Sequence, residues 1–186
     1  LTFGYFIELI GLKSGWPFGI YSYDPSLGPQ IFDVPLVVPF AWAMIAHPIL
    51  CAARRVAGNW VFLYGGFGLM AYDLFLDPQM VTAGRWKWEV TGSHVPFTPE
   101  VPLSNAFGWL LSGMALIAIL HLALPRDRRK VSASFITIDI FLIWTWFAGV
   151  VSNLFFFDRP GIAFIFGLTF GAILAPYIFS RWLGRP

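Results

Sequence analysis

The chain has 186 residues, of which 58% are hydrophobic and 12% charged, with a formal net charge of +2 and a mean hydropathy of +0.70. Soluble domains carry about a quarter charged residues, so this balance excludes an ordinary soluble globule and points to an integral membrane protein. The single cysteine, Cys51, excludes an intramolecular disulfide, and its place in an apolar run reads as packing.

The first apolar stretch, Leu1 to Leu12, is too short at about 1.5 Å per residue to cross about 30 Å of hydrocarbon. No charged n-region or cleavage site precedes it, and the absence of a methionine predicts a missing N-terminal part. Spans are then predicted at Pro35 to Ala53, Trp60 to Leu76, Leu103 to Leu124, Ser134 to Phe157 and Gly161 to Leu183. The expected fold is an all-α, polytopic integral membrane helical bundle, with about five full transmembrane helices plus a partial N-terminal helix, in a single domain over residues 1–186. Pro48 and Pro176 fall inside spans and are expected to kink them. Glycines at 65, 66, 68, 167 and 171 suit close helix packing.

The connections between spans must alternate between the two membrane faces. One face receives Arg54, Arg55, Arg126, Arg128, Arg129, Lys130, Arg181 and Arg185, and the other Lys13, Arg85, Lys87 and Arg159. Eight against four places the first face in the cytoplasm of a multi-pass cell-membrane protein. Topology accounts for these basic residues, and nothing suggests nucleic-acid binding. Acidic residues gather at the other face, with only Asp127 and Asp139 toward the cytoplasm, and Asp139 has no assigned role. The outer connections Lys13 to Val34 and Asp77 to Pro102 are rich in aromatic and turn residues. They read either as aromatic belts or as a lid admitting a lipid-soluble substrate from the side.

Asp73 and Asp77 stand four residues apart at the outer end of the third span. On a helix they share a face, about 6 Å apart, where two charges repel by roughly 3 kcal/mol at an effective dielectric near 20. The pair is therefore expected to retain one proton, giving an acid beside a base. The bland alternative is that Asp77 lies in the interface and Asp73 pairs with Arg85 or Arg159. Glu8, Asn105 and Asn153 are expected at the same depth and would meet the pair in a bundle, where either asparagine could orient a water or hold a carboxyl, although each equally suits a helix-end or interhelical hydrogen bond.

His47, His94 and His121 lack the close spacing of a di-iron oxygenase, no G-x-G-x-x-G follows a strand, and no G-x-S-x-G is present. Acid and base chemistry, or transport, remains. The aromatic share of 19% offers ring faces that can stabilise a carbocation.

The segments Asp73-Leu-Phe-Leu-Asp77-Pro78, Gly84-Arg-Trp86-Lys-Trp88 and Val101-Pro102-Leu103-Ser-Asn105-Ala-Phe-Gly108-Trp109 form an ordered pattern. Glu8, Gly15-Trp-Pro17-Phe18-Gly19-x-Tyr21-x-Tyr23, Leu27-Gly28-Pro29, Val34-Pro35 and Trp42 precede them. The pattern resembles the integral-membrane carotenoid biosynthesis family of the CruF type, carotenoid hydratases that include bisanhydrobacterioruberin hydratase. It departs at Glu100, where a small residue is expected, and at the insertion-like Phe97-Thr-Pro99. The resemblance implies water addition across the terminal double bond of an acyclic carotenoid such as lycopene, without a cofactor. Asp73 is then the expected acid, Asp77 or Glu8 the base, and Asn105 the group that orients the water.

Other readings are an intramembrane prenyl transferase, for which a second acidic motif is missing, and a carotenoid or terpene cyclase, which shares the first protonation. A proton-coupled transporter and a non-enzymatic carotenoid-binding subunit also remain.

Overall fold

The computed structural model describes residues 1–125 and 134–184. In chain order its elements are α1 (Thr2–Ser14), β1 (Tyr21–Tyr23), β2 (Gln30–Ile31), β3 (Val34–Pro35), α2 (Val37–Val56), α3 (Val61–Thr82), β4 (Trp86–Trp88), β5 (His94–Val95), β6 (Thr98–Pro102), α4 (Leu103–Ala123), α5 (Ile136–Phe155) and α6 (Pro160–Trp182). The six helices fall where hydropathy places them, and α1 stops at Gly15, whose φ of 72° closes the helix in the left-handed conformation.

The helices α2, α4, α5 and α6 are each long and apolar enough to cross a membrane. The expected fifth full span, α3, is not among them. It is 22 residues long, about 33 Å, but its apolar run is diluted by Asp73, Asp77, Gln79 and three glycines. It nevertheless packs against α2, α4 and α6 in the middle of the bundle. The closest approach is to α4, where a Cβ built on Gly113 would lie 3.1 Å from the Gly66 Cα. The core beneath the site is built from Ile45, Ile49, Leu69, Ile117, Phe166 and Phe170.

One expectation is corrected at the end of α3. The helix does not end at Leu76 but continues through Pro78 to Thr82, so Asp77 belongs to the helix and not to a loop. The two long outer connections carry short strands. They form three antiparallel pairs, β1 with β4, β2 with β3, and β5 with β6. The first pair joins the two connections to each other, with Tyr21 opposite Trp88 and Tyr23 opposite Trp86. Together they make a cap over one end of the bundle.

Contacts fix the alternation of the chain. At the cap end, Arg159 before α6 donates to the Pro78 carbonyl (3.4 Å), Thr82 Oγ1 (2.8 Å) and Glu100 Oε1 (3.0 Å). At the opposite end, Arg54 donates to the carbonyls of His121 and Leu124, both at 2.9 Å, capping α4. There Asp139 also finds its role, accepting from Tyr177 Oη at 2.6 Å and from Arg181 at 2.7 Å, which ties α5 to α6. Arg126, Asp127, Arg128, Arg129, Lys130 and Arg185, used in the charge argument, lie outside the described residues. Pro48 and Pro176 lie inside α2 and α6, which run through them as continuous helices. Cys51 is half-buried, with its Sγ 3.8 Å from His47 Nε2.

Candidate active site

Where the cap meets the bundle lies a cavity of about 270 Å³. The helices α1, α2, α3 and α4 contribute Glu8, Trp42, Asp73, Asp77, Asn105 and Trp109, and the cap contributes Phe18, Tyr21, Tyr23, Trp86 and Trp88. Every carboxylate expected at the site is therefore on one cavity. All three are buried, with Asp73 only 1% exposed.

The three carboxyl groups differ in their donors. Glu8 has three: Tyr21 Oη at 2.7 Å and Tyr23 Oη at 2.8 Å reach its Oε2, and Trp42 Nε1 reaches its Oε1 at 2.9 Å. Asp77 has two, Trp86 Nε1 at 3.2 Å and Asn105 Nδ2. Asp73 has one, Asn105 Nδ2 at 2.8 Å, and its Oδ1 is buried without a hydrogen bond. The four-residue helical spacing sets Asp73 and Asp77 side by side, and one amide nitrogen on α4 bridges them.

Alternating strand geometry explains the Tyr pair. Tyr21 and Tyr23 are two residues apart on β1, so both side chains leave the same face and converge on one carboxylate oxygen. Burial drives both phenols well above their ordinary pKa, with the neighbouring Glu8 charge adding to the effect, so both stay donors. Gly11 on α1 makes room for them: a Cβ there would lie 2.7 Å from Tyr21 Oη and 2.8 Å from Phe18.

The alternative pairing of Asp73 with a base does not occur. Arg159 is held by Glu100, Pro78 and Thr82, and Arg85 donates to Ser26 Oγ at 2.7 Å. Asn153 does not join the site either. It is buried in α5, where its Nδ2 donates to the Gly149 carbonyl at 2.9 Å. Asn105 is at the site, where its amide nitrogen donates to both aspartates and so holds a carboxyl on each side. The residues missed as carboxylate ligands are Tyr21, Tyr23, Trp42 and Trp86. The Tyr-x-Tyr spacing was the available signal for the first two, since it puts both rings on one face of any strand.

A family model described as carotenoid biosynthesis protein matches residues 1–174. Over 164 residues the chain is 32% identical to bisanhydrobacterioruberin hydratase from Haloarcula japonica, covering 83% of this chain and 54% of that protein. The chain thus spans about half the length of this relative. No solved structure matches.

Proposed function

The chain belongs to the family of carotenoid biosynthesis proteins, and from that premise we propose that it is a carotenoid hydratase, adding water across the terminal double bond of an acyclic carotenoid to give a tertiary alcohol. The observation that carries the reading is the graded donor set on three carboxyl groups facing one aromatic cavity. A carboxylate with three donors suits the acceptor-only ionised form, whereas one with a single donor and an unbonded oxygen suits the protonated form. Asp73 is then the acid, Asp77 the base and Glu8 a fixed anion.

In this mechanism Asp73 gives its proton to the less substituted carbon of the double bond, leaving a tertiary cation. Glu8 and the ring faces of the cavity stabilise the charge, the rings by about 0.5–2 kcal/mol for each well-placed face. A water attacks the cation and passes its extra proton to Asp77. Asp73 has lost a proton and Asp77 has gained one, so a single transfer between them restores the starting state. The cycle takes up the attacking water and neither consumes nor releases a net proton. Acid and base groups of this kind contribute roughly 10²–10⁴-fold each. By the charge bias, the end of the bundle carrying Arg54, Arg55 and Arg181 is cytoplasmic, and the cap faces outward.

The test is product mass spectrometry in lycopene-producing cells expressing the chain, against Asp73→Asn and Asp77→Asn. Gain of one water, lost in either variant while the protein persists in the membrane, supports hydration by the pair. A product of unchanged mass would assign cyclisation instead.

A further inference from the structure

The cavity is polar at its buried end and apolar at its rim. Glu8, Asp73, Asp77 and Asn105 are buried; Tyr23, Trp86 and Trp88 of the cap are partly covered, and below them Leu27, Ala41, Leu76 and Met80 are partly covered too, with Val37 the lining residue left exposed. The rim residues below the cap come from the first turns of α2, the last turns of α3 and the short 3-10 turn at Pro25–Leu27. The opening therefore lies sideways, between two helices, below the cap.

What lies outside the rim follows from α2. Its residues Val37, Phe40 and Met44 are exposed and recur at helical spacing, a single apolar stripe on a helix long and apolar enough to cross a membrane. Such a stripe on such a helix suits contact with lipid, and Val37 belongs both to it and to the rim. Just before α2, the β2–β3 hairpin turns at Phe32 and Asp33, with φ of 50° and 69°. Hairpin turns of this kind favour Asn or Gly, and a Phe with positive φ is an outlier. Here the strained position displays a ring that is 71% exposed. Hydrogen bonding of Tyr5 Oη to the Ile31 carbonyl (3.3 Å) and the Lys13–Asp33 ion pair (2.8 Å) hold the turn in place. The apolar surface thus continues from α2 onto the hairpin tip.

The volume adds a constraint. A cavity of about 270 Å³ is at the small end for ligand pockets, with room for the end of a long isoprenoid chain and not for the whole. We infer that the opening between α2 and α3 is a lipid-facing portal through which such a chain enters end-on from the bilayer, its terminus at the carboxylates and its remainder in lipid along α2, with Phe32 seating the hairpin in the membrane interface. The identity of the guest rests on the hydratase reading; the portal rests on the rim and the stripe.

The experiment uses the full chain in liposomes, with Cys51→Ser and one fluorophore-labelled cysteine at Ala41→Cys, or at Met80→Cys should the first variant fail to insert. Brominated lipid is expected to quench the label and aqueous iodide to leave it unchanged. Lycopene in the bilayer is expected to quench it more strongly than a label at Phe164→Cys, on the exposed face of α6. A label at Phe32→Cys should respond to lipid brominated near the headgroup. Quenching by iodide without quenching by brominated lipid would overturn the portal, as would equal lycopene quenching at Ala41 and Phe164. Hydration with no lipid quenching would sink the portal alone, and lycopene quenching at Ala41 with no water gained would sink the hydratase reading alone.

Discussion

The indole rings of Trp42 and Trp109 stack face to face, with centroids 4.0 Å apart and planes 3° from parallel. The stack joins α2 to α4 and walls the cavity, while the Trp42 nitrogen points away from the stack to bond Glu8. One side chain thus serves as wall and as donor, and the two roles separate by substitution. Trp42→Phe keeps a ring and removes the donor. Hydrogen bonds to charged groups are worth about 1.5–3 kcal/mol, so turnover is expected to fall at least tenfold while the protein stays folded. Trp42→Ala should instead cost about 3–5 kcal/mol of stability. Product formation and thermal unfolding in detergent separate the two outcomes.

Protonation of carbon leaves an isotopic mark. Turnover in D₂O is expected to place one non-exchangeable deuterium on the carbon next to the new alcohol, seen as a one-unit mass increase after back-exchange of the hydroxyl. A product without carbon-bound deuterium would rule out Asp73 as a carbon acid-catalyst through any route that exchanges with water.

Asn105 is the common donor of the aspartate pair. Asn105→Leu leaves the volume nearly filled but removes the bridge. The expected result is a loss of about 10²-fold in turnover, in the range of a displaced acid or base, with the chain still inserted. Unchanged turnover would mean that the two carboxyl groups are positioned by α3 alone.

Gly11 tests the packing that carries Tyr21 to Glu8. A side chain there must displace Tyr21 or Phe18, and overpacking of this kind costs about 1–3 kcal/mol. Gly11→Val should lower the unfolding midpoint and abolish product formation together, whereas Tyr21→Phe should reduce product formation with a much smaller change in midpoint.

Glu100 and the Phe97-Thr98-Pro99 turn, where a departure from the family pattern is expected from the sequence, meet at the start of α6. Glu100 pairs with Arg159, and the Phe97 ring occupies the space that a side chain at Gly161 would take. Both ends of the ion pair are 28% exposed, which limits its worth to less than about 1 kcal/mol. Arg159 also grips Pro78 and Thr82 beside Asp77. Glu100→Gln is therefore expected to be nearly silent in both stability and turnover, and Arg159→Leu to slow turnover several-fold. A double-mutant cycle on the pair measures the difference.

The helices were legible because hydropathy at the scale of a span is a long, repeated signal, and Asp73 and Asp77 stood out against it. The end of α3 was misread because Pro78 looks like a stop signal, yet the helix runs past it, with Thr82 one turn on and Arg159 from before α6 both donating to the Pro78 carbonyl. The pairing of β1 with β4 was not legible. Its strands are three residues long and separated by two helices, so no local pattern records which segments meet. For the same reason Tyr21 and Tyr23 read only as part of an aromatic belt or lid, whereas their hydroxyls hold Glu8. Asn153 was misplaced because depth along a helix was known but rotation about it was not.

The pairing of β1 with β4 also sets an order of events during biogenesis. Asp73 and Asp77 leave the ribosome before the residues that satisfy them: Trp86 follows Asp77 by nine positions and Asn105 by 28. A carboxylate near the middle of an isolated inserted helix costs about 2.5–3.5 kcal/mol, so α3 on its own is a poor passenger in the bilayer. It becomes a stable one when α4 arrives with the amide and the cap closes with the indole. The helix that carries the candidate site thereby depends for its insertion on partners made after it, and a chain interrupted before α4 would present a helix ready to slip back out.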